Sequence, residues 1–172
     1  DEFADFAPNV VTIDPGKLNA IGANVTLQAS RNIFIKDRIS LATAGAGVTV
    51  LAGGASATGG GIVLEDQGAT RPGGIFTNGG SVVLRGSSVT GPGVIRTAGG
   101  AVDIQTTGDL NYTSAIDSGG GAVNLASTSG AVNGAHVSAG PGTIGVSAAA
   151  GIHGGRYATS GTATFATTEG DI

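Results

Sequence analysis

A Gly-rich turn followed by an apolar–x–apolar triplet recurs along the whole chain. Successive triplet starts are separated by 23, 14, 20, 20, 21, 21 and 19 residues, so six of the seven spacings fall between 19 and 23. Such a period is typical of a chain of stacked units, none of which buries its apolar face alone. The triplets begin at Val25, Val48, Ile62, Val82, Val102, Val123, Ile144 and Ala163.

Each triplet alternates with period 2, which predicts a short strand with its outer residues inward and its middle residue outward. A second apolar position follows most triplets, and a third short segment precedes the next Gly turn. The second positions are Ile33, Leu110, Val132 and Ile152; the third segments are Ile75–Thr77, Val94–Arg96, Ala115–Asp117 and Ala135–Val137. Three strands per unit predict an all-β fold, a right-handed parallel β-helix (solenoid) of about seven to eight coils spanning about 35 Å.

Glycine and proline fit the corners of such a coil. The 33 glycines include the pairs Gly79-Gly80, Gly99-Gly100 and Gly120-Gly121, each just before a triplet. Tight corners need backbone conformations that Gly adopts without steric cost. All five prolines lie outside the triplets, where they remove no ladder donor. No stretch has a sustained helical period, so we expect essentially no α-helix.

Three regions depart from the regular repeat. The short interval between Val48 and Ile62, with no large apolar residue over 53–61, predicts an abbreviated coil near residues 51–61. Residues 1–20 lie outside the repeat and are interpreted as a leading strand, a partial cap or a linker. Residues 21–172 form the β-helix, and Ile172 falls where a second strand should open, so the segment is expected to end mid-coil.

The charge and composition disfavour several classes of function. A net charge of −4 and an isoelectric point near 4.8 predict no nucleic-acid partner. The absence of cysteine excludes disulfides and thiol chemistry. No apolar run reaches the ~18 residues of a membrane span, so we expect no membrane insertion. The acidic start, residues 1–6, lacks a signal-peptide core, so any export signal is expected upstream.

The outward positions of the first strands offer few chemically reactive side chains. Among the triplet midpoints only Asp103 is acidic, which does not make a catalytic face, so we predict no enzyme and no cofactor. The next outward positions bring Glu65, Arg85 and Gln105 onto successive predicted coils. Arg85 could pair with Glu65 or Asp103, and these four residues could line a glycan-binding groove.

The two histidines do not predict a metal site. His136 and His153 are expected in different coils and on different faces, and no carboxylate or second histidine lies at ligand spacing from either. Both are interpreted as surface residues. The aspartates do not match the Gly-Gly-x-Gly-x-Asp calcium repeat, so we predict no metal.

A family resemblance follows from three stretches of sequence. Residues 23–33 (ANVTLQASRNI), residues 99–104 (GGAVDI) and the closing residues 169–172 (EGDI) resemble stalk repeats of filamentous haemagglutinin-like proteins, large adhesins exported by two-partner secretion. The resemblance implies a β-helix, a secreted or cell-surface location and a role in adhesion or biofilm contact. The family's secretion domain carries Asn-Pro-Asn motifs, whereas this chain has only Pro8-Asn9, so the resemblance is to the stalk.

Three functions remain open from the sequence. The first is a structural stalk segment of a bacterial adhesin, whose contacts with receptors or glycans on host or neighbouring cells lie outside the segment. The second is a subunit of a self-assembling extracellular filament or matrix, joined end to end through unpaired coil edges. The third is a glycan-binding or polysaccharide-active β-helix that uses the four-residue groove.

Overall fold

The chain coils through three parallel sheets. The computed structural model describes residues 13–54, 59–66 and 73–172, and these residues are nearly all β. Consecutive strands enter the three sheets in turn, so one circuit of the chain is one coil. Equivalent strands of neighbouring coils then lie side by side, about 4.8 Å apart, and hydrogen-bond from coil to coil.

The strands form three sheets. The first sheet is β1 (Val25–Ala29), β4 (Val48–Ala52), β7 (Val82–Gly86), β10 (Val102–Thr106), β13 (Val123–Ser127), β16 (Ile144–Ala148) and β19 (Ala163–Thr167). The second is β2 (Ile33–Ile35), β5 (Gly61–Leu64), β8 (Ser88–Thr90), β11 (Leu110–Asn111), β14 (Ala131–Asn133) and β17 (Gly151–His153). The third is β3 (Ile39–Ala44), β6 (Gly74–Asn78), β9 (Val94–Arg96), β12 (Ala115–Asp117), β15 (His136–Gly140) and β18 (Arg156–Thr159).

This arrangement confirms the predicted solenoid with three strands per coil. It has about six turns, fewer than the seven to eight expected, because the second and third sheets contain six strands each. The seven strands of the first sheet span about 29 Å at the usual strand spacing. All sheet pairings given for the described residues are parallel, as the stacking of a single repeated unit requires.

The core is a set of apolar ladders that run along the coil axis. On the first sheet Val102 pairs in register with Val82 and Val123, and Ile104 with Leu84. These side chains are essentially inaccessible to solvent. Burial of each contributes on the order of 2 kcal/mol. The narrow interior is therefore filled mostly by Val, Ile, Leu and Ala at regular positions.

The largest fully buried side chain belongs to Tyr112, in the corner between β11 and β12. Its hydroxyl donates to the carbonyl oxygen of Gly93 in the preceding coil. Burial raises the pKa of Tyr112 well above its ordinary value of about 10. An aromatic ring fits here because the neighbouring coil contributes only glycine and proline, Gly91-Pro92-Gly93, at this corner.

Paired glycines close the corner between the third and first sheets. Gly99 has φ +113°, a conformation that favours glycine. Gly100 has an ordinary φ, but a Cβ there would lie 2.2 Å from the Gly80 carbonyl oxygen of the preceding coil. The first glycine is thus needed to turn the chain and the second to let two backbones stack.

A buried hydroxyl caps three of these corners. The Thr97 side chain donates to the Gly100 carbonyl three residues later. Thr77 and Ser118 make the equivalent bonds in the adjacent coils. A buried carbonyl without a partner would be costly, so the repeated Thr or Ser stabilises the turn.

The prediction of an abbreviated coil near residues 51–61 is wrong. Ile62 pairs with Ile33 of β2, so its triplet lies in β5 of the second sheet. On the first sheet Val48 pairs directly with Val82, 34 residues later. That coil is the longest of those described, and its sequence includes residues 55–58 and 67–72, which lie outside the described residues. A triplet of alternating apolar residues looks the same on any face, which is why spacing misassigned this one.

The described part of the lead-in packs on the first coil as a helix, α1 (Pro15–Asn19). Asp14 caps it by accepting from the Gly16 amide at 2.8 Å, and Leu18 packs against the core. The Asn19 side chain accepts from the Ser40 amide at 2.6 Å. The leading strand, partial cap or linker predicted for residues 1–20 falls partly on residues 1–12, which lie outside the described residues. At the other end, the Asp171 carbonyl accepts from the Ile152 amide at 2.9 Å, beside β17.

Candidate functional site

Arg85 and Asp103 form an ion pair on the outer surface of the first sheet. Arg85 Nη2 lies 2.6 Å from Asp103 Oδ2, which confirms this predicted pairing. Arg85 Nη1 also donates to the Asp103 carbonyl at 3.1 Å and to the Leu84 carbonyl at 3.3 Å. Gln105 is in register with Arg85 on the adjacent strand. Three of the four predicted binding residues therefore lie together.

Glu65 does not belong to this cluster. It follows β5 of the second sheet, and its amide donates to the Ile35 carbonyl at 2.9 Å. The predicted pairing of Glu65 with Arg85, which lies on the first sheet, is therefore wrong. The error comes from the misassigned triplet Ile62–Leu64. Because this strand lies in the second sheet, Glu65, which directly follows it, lies there too. The predicted four-residue glycan groove is not formed.

The chemistry available to the remaining cluster is limited. The Arg85 guanidinium is already bonded to a carboxylate and two carbonyl groups, and the two side chains are 24% and 31% exposed. Asp103 Oδ1 is buried and accepts no hydrogen bond from any described residue. A half-exposed pair of this kind contributes under about 1 kcal/mol. The arrangement links two coils and offers no acid–base pair for catalysis.

The two histidines lie on different faces, as predicted. His136 opens β15 of the third sheet, whereas His153 closes β17 of the second, and both are exposed. Over residues 13–54, 59–66 and 73–172, no group of three or more His, Asp or Glu side chains could hold a metal ion. No helix in the same ranges is long and apolar enough to cross a membrane.

A shallow groove on the third sheet was missed by the sequence analysis. Register sets Arg96 beside Asp117, and Ala115 beside His136, which in turn neighbours Arg156. The sequence contains the signal, because Arg96 and Asp117 are the last residues of two predicted third-strand triplets. The predicted site residues were instead those at the outward positions of the first strands. The groove is lined by Arg96, Ala115, Asp117, His136, Ser138 and Arg156.

No protein family, curated protein or solved structure matches the chain. Any statement about its function therefore rests on the repeat, the residues of its three faces and their geometry.

Proposed function

We propose that this chain is a structural shaft segment of a large secreted bacterial surface protein of the filamentous haemagglutinin-like type. The observation that supports the proposal most directly is the continuity of the apolar ladders, which pass from coil to coil without interruption by a catalytic or metal-binding cluster in the described residues. A solenoid of this kind makes a rod whose length grows with coil number.

The proposal assigns attachment to other parts of the surface protein. Receptors or glycans on host or neighbouring cells would be engaged by regions outside this segment, and the segment would set their distance from the cell. The stalk-like stretches at residues 23–33 and 99–104 support this assignment. The Arg85–Asp103 pair fits it too, because it joins neighbouring coils of the first sheet.

An in-register deletion tests the proposal in the full-length protein on the cell surface. Removing residues 102–122 brings Val123 to the place of Val102, with which it pairs, so every ladder continues. We expect cell adhesion to be retained with a slightly shorter projection by electron microscopy. The control deletion of residues 102–111 removes about half a coil and should disrupt the ladders and lower surface display.

Two outcomes would contradict the shaft. The first is loss of adhesion in the in-register deletion while the protein is displayed at the normal level, which would locate binding in the removed coil. The second is equal display and equal adhesion of both deletions, which would mean that the continuity of the coils does not matter.

A further inference from the structure

Three arginines form a strip on or beside the third sheet. The chain has a net charge of −4, yet Arg38, Arg96 and Arg156 place three of its eight Lys and Arg residues on or beside this sheet. Arg38 lies 3.8 Å above the ring of Phe76, at one end of the strip. The core does not need these arginines, since their side chains are exposed and point away from it.

The groove in this strip has an arginine at each end and small side chains between them. Arg96 in β9 and Arg156 in β18 are exposed and three coil steps apart, about 14 Å at the usual strand spacing. Between them, Ala115 and Ser138 are small, which leaves the depression open. Neither arginine forms an ion pair with a described residue, so both guanidinium groups are available to a ligand.

Hydrogen-bonding groups occupy the space between the arginines. Asp117 faces the groove and uses one carboxylate oxygen to accept from the Gly119 amide at 3.2 Å, while the other accepts no described bond. His136 and Ser138, both exposed, come from the next coil. Carboxylate, imidazole and hydroxyl together can donate to and accept from sugar hydroxyl groups.

We infer that this groove binds an acidic oligosaccharide that carries carboxylate groups, such as a uronate chain, along the coil axis. Arginine forms a planar fork that matches a carboxylate in two parallel bonds. The acid at Asp117 repels a densely charged polymer but accepts from hydroxyl groups, so widely spaced carboxylates fit the groove better than dense sulfate. This binding site goes beyond the shaft proposal, because a shaft needs no ligand.

Titration calorimetry on the folded chain tests the site with a galacturonate octasaccharide. A neutral galactose oligosaccharide and a heparin oligosaccharide of the same length are the comparison ligands. The variants are Arg96→Gln, Arg156→Gln and the two combined. Arg31→Gln is the matched control, because Arg31 is exposed between β1 and β2, away from the groove, and its change removes the same charge.

We expect the uronate to bind and the neutral chain not to bind. Loss of one charge-assisted hydrogen-bonded pair lowers affinity about tenfold. Each single groove variant should therefore weaken binding about tenfold, and the double variant about 100-fold. Arg31→Gln should change it less than twofold. All variants should keep the wild-type circular dichroism spectrum and melting temperature, because the exchanged side chains are exposed.

Three results would overturn the site. The first is no heat of binding with the uronate, and the second is equal weakening by Arg31→Gln, which would indicate general attraction to charge. The third is tighter binding of heparin than of the uronate, which would contradict the assigned ligand class. None of these would alter the adhesion expected of the in-register deletion, so the two proposals fail separately.

Discussion

Gly100→Ala tests whether backbone stacking at the corners holds the coils together. The new Cβ would lie 2.2 Å from the Gly80 carbonyl oxygen and 2.5 Å from its carbon. Both are backbone atoms in the preceding coil, so no side chain can swing away. The φ of Gly100 is not in the left-handed region, so the cost is steric and not conformational.

The magnitude follows from the cost of overpacking. Forcing one methyl group into a packed interior costs about 1–3 kcal/mol, and the upper end applies where backbone must shift. For a chain of this size each kcal/mol lowers the melting temperature by about 2–4 °C. We therefore expect Gly100→Ala to melt about 6–12 °C below the wild type.

Two further alanine variants separate the causes. Gly22→Ala places a Cβ at an exposed position with 3.7 Å to its nearest neighbour atom, so its melting temperature should stay near the wild-type value. Gly99→Ala meets nothing within 4 Å but keeps a φ of +113°, which costs about 1–2 kcal/mol. Its loss should fall between the other two.

Thermal melts followed by circular dichroism give the ranking, and hydrogen exchange locates the change. Because each coil contacts only its neighbours, exchange should speed up first around Gly80 and Gly121, the adjacent glycines of the stack. A Gly100→Ala protein that melts within about 2 °C of the Gly22→Ala protein would refute the steric argument.

Three other predictions concern single interactions. Tyr112→Phe leaves the Gly93 carbonyl without its donor and should cost about 1–3 kcal/mol in urea unfolding. Because burial raises the pKa of Tyr112 in the folded state, its neutral hydroxyl contributes fully to folding stability below pH 10, the ordinary pKa being about 10, and this contribution declines as the pH rises further. The free energy of unfolding of Tyr112→Phe should therefore fall less at alkaline pH than that of the wild type. The same pH profile for both proteins would contradict this. Thr97→Val removes a buried hydroxyl that donates to the Gly100 carbonyl and lies 3.1 Å from the Ser118 carbonyl oxygen, so it should destabilise by about 1–3 kcal/mol. The exposed Thr26→Val should have little effect, and equal effects of the two variants would count against the corner caps. A double-mutant cycle of Arg85→Gln and Asp103→Asn should give a coupling below about 1 kcal/mol, and a coupling of several kcal/mol would show that the pair matters more than its exposure suggests.

The architecture could be predicted because the repeat specifies it locally. Alternation assigns inward and outward residues, and the Gly pairs mark corners, so seven of the eight triplets were placed on the first sheet correctly. The same regularity placed Asp103 beside Arg85, since both lie in coils of ordinary length. Inference succeeds here because a period carries the register from one coil to the next.

The failures occur where the period breaks. Ile62 has the same alternation as a first-sheet strand, and only its pairing with Ile33 shows its face. The misplacement of Glu65 followed from that one error. The burial of Tyr112 could not be predicted from its local sequence either, because the space for its ring depends on the glycines of another coil. Long-range register, and not local preference, decides such positions.

The direction of the inter-coil hydrogen bonds has a mechanical consequence. They run along the coil axis in all three sheets, so a pull on the chain at one end should peel the rod one coil at a time. Each event releases about 20 residues, or about 70 Å of extended chain. The rod would then lengthen under load in steps and dissipate work at each one, while the coils still stacked keep their cross-section.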